Sequence, residues 1–240
     1  MALPPALLLD HLAVDAHRMA AMAAHADLST PVHSCPGWSL ADLIGHLGGV
    51  HRWATEVVRT GAVAEQGPAP DDPGRLAAWF TEGAEQLLTT LAGADLERPC
   101  WGFGPPPRLA GFWVRRQALE TAIHRWDADS CLGHHAGIDP RLASDGVDEV
   151  VSVLLPRQVR LGRTQLPAGT VGLRCAGTSQ RWQVGGHEGD PAVLGLATVT
   201  APAATLLLLL WRRVDLAAAG VDVDGDLALA RAVIAQPLTP

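Results

Sequence analysis

Residues 113–127 constrain this chain most, because Glu120 and His124 stand four positions apart on what reads as one continuous helix. At about 100° per residue, an i, i+4 pair lies about 40° apart around the axis and one turn along it, so both side chains can reach one point. A carboxylate oxygen and an imidazole nitrogen placed this way can share a metal ion, although on most helices such a pair is a solvated surface contact. Here Trp113, Ala118, Leu119, Ala122, Ile123 and Trp126 leave little of the helix wholly polar. The pattern asks for neighbouring helices to cover those residues and for a third ligand from one of them.

The sequence before this helix supplies the neighbours. Apolar positions at helical spacing (Leu8, Leu12, Val14, Met19, Met22) predict a helix over 6–26, on which His11, His17 and His25 are too scattered to form a ligand pair. Ser39 followed by Asp42 resembles a capping box and starts a second helix running to about 60. This helix carries His46 among Gly45, Gly48 and Gly49, each of which costs about 1 kcal/mol relative to Ala inside a helix. Close packing by another helix, or room for a ligand beside His46, would offset that cost. His51 lies five residues on, about 140° around the axis, and should not share the site of His46. Asp72-Pro73 gives an N-cap and an N1 proline for a third helix over 74–91, with Trp79 in its core stripe. The helix bearing Glu120 and His124, over 109–132, completes a set of four. Arg115, Arg116, Arg125 and Asp127 along it read as surface Arg–Asp pairing, with orientation of an anionic substrate or bracing of a histidine as the other reading.

The pattern changes after residues 133–137, where His134 and His135 are taken as linker histidines. A helix is expected over 146–155, β-strands over 170–175, 181–184 and 197–200 between glycine-rich turns, an apolar helix over 202–213, a strand and turn over 221–225 and a last helix over 226–235. The Asp222-x-Asp224-Gly-Asp226 run lacks the length and the glutamate of an EF-hand, so it reads as a turn and an N-cap. The fold class is α+β, with a helical domain over 1–137 and a small α+β domain over 143–240.

Composition removes several function classes. With 18 basic against 25 acidic residues and a net charge of -7, and with the arginines dispersed, nucleic-acid binding is disfavoured. The first ten residues place no basic residue before their short apolar run and meet Asp10 at once, unlike a secretory signal. The apolar run over 201–211 falls well short of the roughly 20 residues of a membrane span. A cytoplasmic protein without membrane attachment is expected, and Cys35, Cys100, Cys131 and Cys175 are far apart and read as reduced thiols.

Residues 35–53 (CPGWSLADLIGHLGGVHRW) and 120–127 (ETAIHRWD) make the chain resemble the mycothiol-dependent maleylpyruvate isomerase family, part of a larger DinB-like group of metal-binding four-helix bundles. Its small C-terminal domain is similar to sterol-carrier proteins. The resemblance implies a divalent metal, zinc first, held by His46, Glu120 and His124, and mycothiol as the thiol cofactor. A His2Glu set leaves a coordination position open, as in catalytic rather than structural zinc sites. In the reaction the family implies, the thiolate adds to a cis double bond, the resulting single bond rotates, and elimination leaves the trans isomer. Opening an epoxide or displacing a leaving group, as a thiol S-transferase does, uses the same chemistry. Two other readings are a non-catalytic metal-containing protein that binds a hydrophobic small molecule, and a natural-product tailoring enzyme without mycothiol. The expected partner is a small-molecule substrate; oligomeric state is not legible.

Overall fold

A computed structural model describes residues 3–185 and 196–240. It divides into two compact units, one ending at Ile138 and the other beginning at Asp139. In the first, α1 (Pro5–His25), α2 (Leu40–Thr60), α3 (Pro73–Gly93) and α4 (Gly111–Cys131) pack as a bundle in which α2 lies against α3 and α4, and α1 against α3 and α4. The starts follow from local chemistry. Ser39 and Asp42 form a reciprocal capping box, and the Asp72 side chain accepts from the Gly74 amide ahead of α3. Thr60 is followed by Gly61, whose φ of 75° ends α2 in the left-handed region. Leu12, Met19, Leu40, Leu43, Ile44, Leu47, Phe80 and Leu87 are fully buried between the helices.

The α2–α3 seam explains one of the expensive glycines. A Cβ on Gly48 would sit 2.4 Å from the Trp79 ring, so its absence is what lets the indole lie against α2. Trp79 in turn carries the Arg52 guanidinium 4.1 Å above its ring. Gly45 and Gly49 face a different neighbour, the segment before α3, described below.

In the second unit, α5 (Pro140–Glu149), a π-helical turn (Val150–Leu154) and α6 (Leu155–Arg160) run on without a break. The helix expected over 146–155 therefore starts earlier, since Asp139 caps the amides of Arg141 and Leu142 ahead of Pro140. Pro156 cannot donate a backbone hydrogen bond, which accounts for the altered register just before it. The strands β1 (Thr170–Cys175), β2 (Arg181–Gly185), β3 (Ala197–Ala201) and β4 (Asp222–Gly225) form one sheet in the order β2-β1-β3-β4, with β1 parallel to β3 and the other pairs antiparallel. The glycine-rich connection between β2 and β3 lies, for residues 186–195, outside the described residues. Val171, Leu173 and Cys175 alternate onto the buried face with Ala197, Val199 and Ala201. That face is covered by α7 (Ala203–Leu210) and α8 (Leu227–Ile234), the latter capped by Asp226. The apolar helix expected to reach 213 stops at Leu210, and Arg212 adopts a φ of 57°. Among the described residues, no helix is long and apolar enough to cross a membrane.

Candidate metal centre

His46 from α2 meets Glu120 and His124 from α4 in the interior of the bundle. Glu120 Oε1 lies 3.3 Å from His124 Nε2 and 3.8 Å from His46 Nε2, and the potential ligand atoms of all three residues fall within 4.8 Å of one another. A tetrahedral ion with Zn–N and Zn–O bonds of about 2.0–2.1 Å separates its ligand atoms by about 3.3 Å, so this donor set fits with little adjustment. The i, i+4 pair and the facing histidine expected from sequence are thus brought together. His51 is not part of the set: its Nε2 lies 2.9 Å from the Thr121 hydroxyl oxygen.

The surroundings orient each ligand. His124 Nδ1 donates to Asp127 Oδ2 at 3.0 Å, which fixes the tautomer and leaves Nε2 to face Glu120 and His46. Asp127 has no solvent exposure, and the Cys35 thiol reaches the same carboxylate oxygen at 3.7 Å from the turn before α2. Arg116, one turn before Glu120 and nearly buried, pairs with its Oε2 and so leaves Oε1 to the histidines. The Trp38 ring lies 5.0 Å from that of His46, and the rings of His46 and His124 meet edge-on at 5.3 Å.

Electrostatics follow this packing. Burial would raise the Glu120 carboxyl, but Arg116 beside it and hydrogen bonds from His124 and His46 hold it well below the usual carboxylate range. Burial would likewise lower His124, and it is overcome by Asp127, Cys35 and Glu120, which hold the imidazole well above its ordinary value. Without an ion, the cluster retains a proton on His124 against two carboxylates. A divalent cation held there by His46, Glu120 and His124 would supply that positive charge in place of the proton. His51, by contrast, is pushed down to about 3 by complete burial and stays neutral.

Two expectations need correction. Arg125 and Asp127 are not a surface pair: they point to different clusters, and both are buried. Arg125 donates to Asp15 on α1 at 3.0 Å, to Asp129 at 2.9 Å, and to the carbonyls of Ala136 and Gly137. Arg116 also leaves the surface to pair with Glu120. The i, i+3 spacing of His124 and Asp127 and the i, i+4 spacing of Arg116 and Glu120 carried this information. Cys35 had no local signal, because its partner is 92 residues away. His134, one of the linker histidines, lies 3.5 Å from Asp129, and neither it nor His135 joins a ligand group among the described residues.

Comparison with known proteins places the chain in a family. Residues 9–129 match the mycothiol maleylpyruvate isomerase N-terminal domain and residues 141–232 match the MDMPI C-terminal domain. A crystal structure of the mycothiol-dependent maleylpyruvate isomerase is similar over 94% of this chain and 95% of its own, at 15% identity and a TM-score of 0.68. A His-to-Ala mutant of that enzyme gives 14% identity and a TM-score of 0.66 over the same shares. At such identities the likeness speaks for the fold. No curated protein sequence matches the chain. The two family matches, which together span most of the chain, show that it belongs to the mycothiol maleylpyruvate isomerase family.

Proposed function

We propose that the chain is a metal-dependent enzyme that uses a low-molecular-weight thiol, mycothiol, on a small electrophile, with cis–trans isomerisation of a maleylpyruvate-like substrate as its reaction. The observation that carries this reading is the convergence of His46, Glu120 and His124 on one point, within a family whose solved relatives are mycothiol-dependent isomerases. Zinc is the ion we assign, since two imidazoles and one carboxylate suit it and three protein ligands leave a position open for the thiol.

The chemistry such an ion supplies is thiol activation: a thiol bound to it loses its proton near neutral pH and becomes the nucleophile. The chain's own residues hold the geometry. Asp127 anchors His124 through Nδ1, Arg116 anchors Glu120 through Oε2, and Trp38 closes one side of His46. Glu120 is held as a ligand and so is poorly placed to move a proton. Transfer of the thiol to an epoxide or alkyl halide uses the same arrangement and is the second reaction to assay. A cytoplasmic location agrees with a reduced thiol as cofactor.

A second reading, a binding protein with a merely structural metal, draws on a cavity of about 1020 Å³ in the C-terminal unit between Val223, Leu227, Ile234 and the arginines 212 and 231. One assay separates the two. Maleylpyruvate, epoxides and alkyl halides are offered to the metal-loaded protein with mycothiol, with another thiol, and with none. Thiol-dependent turnover that chelator abolishes is expected. Chelator-sensitive turnover that needs no thiol would replace this reading with a metal-hydroxide enzyme, and absence of turnover with retained apolar-ligand binding would favour the second.

A further inference from the structure

Beside His46 lies a cavity of about 430 Å³, lined by Ala41, Asp42, Gly45 and His46 of α2, by residues 66–71, and by Pro73 and Leu76 of α3. It is built by the glycines that the α2–α3 seam does not use. A Cβ on Gly45 would stand 3.1 Å from the Ala69 methyl, and one on Gly49 would meet the Gln66 amide at 2.6 Å. These two positions let the proline-rich segment lie close along α2, where Gln66 Nε2 comes within 3.5 Å of the His46 carbonyl oxygen. His46 is also the most open of the three ligands, its side chain 33% exposed against 14% for Glu120 and 6% for His124. Of the three ligands, His46 is the one that lines this cavity.

The walls select by chemistry. Besides the His46 imidazole, the side-chain polar groups at the cavity are the carboxylates of Asp42 and Asp71 and the amide of Gln66, and no arginine lines it. Hydrogen bonds from Ser39 hold the Asp42 carboxyl below its ordinary range, so it stays ionised. Two carboxylates repel a dianionic substrate such as maleylpyruvate and accept hydrogen bonds from neutral hydroxyl donors. Pro68, Pro70 and Pro73 restrict the backbone that presents them, which lowers the cost of ordering the site around a ligand.

Resting on the thiol-dependent reading above, we propose that this cavity seats the neutral, hydroxyl-rich pseudodisaccharide body of the thiol cofactor, with its sulfur directed past His46 toward the ligand triad. The anionic substrate then approaches from elsewhere. The cavity makes the enzyme selective for a sugar-bearing thiol over a small one such as N-acetylcysteine.

The test uses the full-length zinc-loaded protein and the S-methyl thioether of mycothiol, which keeps the sugar body and has no ionisable thiol. Calorimetric titration is expected to show binding to the wild type and about tenfold weaker binding to a Q66A/D71A double variant, the loss of two modest hydrogen bonds. Both positions are exposed, so the variant should fold; circular dichroism and unchanged zinc content verify this. In turnover assays the KM for mycothiol should rise in parallel, with the KM for maleylpyruvate, the KM for N-acetylcysteine and kcat at saturating thiol unchanged. Equal affinity of the two proteins for the thioether, with thiol-dependent turnover intact, would overturn the cavity assignment alone. Wild-type turnover that needs no thiol would overturn the functional reading, and the cavity assignment with it.

Discussion

Two buried polar clusters are built on consecutive residues of α4, one around His124 and the other around Arg125, and they differ in how their polar atoms are used. Arg125 spends its guanidinium on the carboxylates of Asp15 and Asp129 and on two carbonyl oxygens that hold the chain after α4, while Arg18 adds a second cation to Asp129. Every partner there is satisfied by another protein group, and the result is a tie between α1, α4 and the segment that follows. Around His124 the outer atoms are fixed in the same way, Nδ1 by Asp127 and Glu120 Oε2 by Arg116, but the inner atoms Nε2 and Oε1 converge with His46 on a common point. Buried charge therefore says little about function by itself. What separates a ligand site from a structural tie is convergence of lone pairs with the second atom of each group already anchored.

Breaking the structural tie should produce the largest effect. Arg125→Ala leaves Asp15 and Asp129 buried without their main partner, and a loss of about 3–5 kcal/mol in folding stability by denaturant titration is expected. Metal content per folded molecule should not change. Asp127→Asn, which keeps the shape beside His124 and removes the carboxylate, should instead weaken metal affinity about 10–100-fold in a chelator competition.

The neighbouring His51 gives a smaller, pH-dependent signal. Its folded value of about 3 lies below the roughly 6.5 of an unfolded histidine, so the unfolded chain takes up the proton first as pH falls. Stability is retained above pH 6.5 and declines toward pH 3, by about 1 kcal/mol per unit from this group in the upper part of that window. A His51→Gln variant should show that much less slope between pH 6.5 and 5.5; an unchanged slope would mean His51 is not the source. The smallest effect belongs to His46→Ala measured without metal. Partly exposed and held by no strong partner besides Glu120, it should cost the chelated protein about 0.5 kcal/mol or less, while abolishing stoichiometric metal binding.

Where local chemistry decided the structure, the sequence could be read. Ser39 with Asp42 and Asp72 with Pro73 announced two helix starts, and the Glu120–His124 spacing announced half of the ligand set, with His46 supplied by family resemblance and its glycines. Asp139-Pro140 carried the same signal as Asp72-Pro73, yet it fell between the two expected domains and the helix it starts was expected only from 146. The surface-pair reading of Arg116, Arg125 and Asp127 failed for a different reason, whereas the other reading, bracing of a histidine, holds for Asp127. Charged residues on a helix look like a solvated face until the other helices show that the face is inside. Cys35 and Asp15 reach α4 only through tertiary packing, which no local spacing encodes.

The central claim, that His46, Glu120 and His124 hold one ion with a position open to a thiol, is tested most directly by replacing the ion with Co(II) and recording its absorption. The account predicts one equivalent bound with the intense visible bands of a low-coordinate site, a new near-ultraviolet sulfur-to-metal band on addition of mycothiol, and neither feature in His46→Ala. Failure of the wild type to take up cobalt, or uptake with a spectrum that mycothiol leaves unchanged, would contradict it.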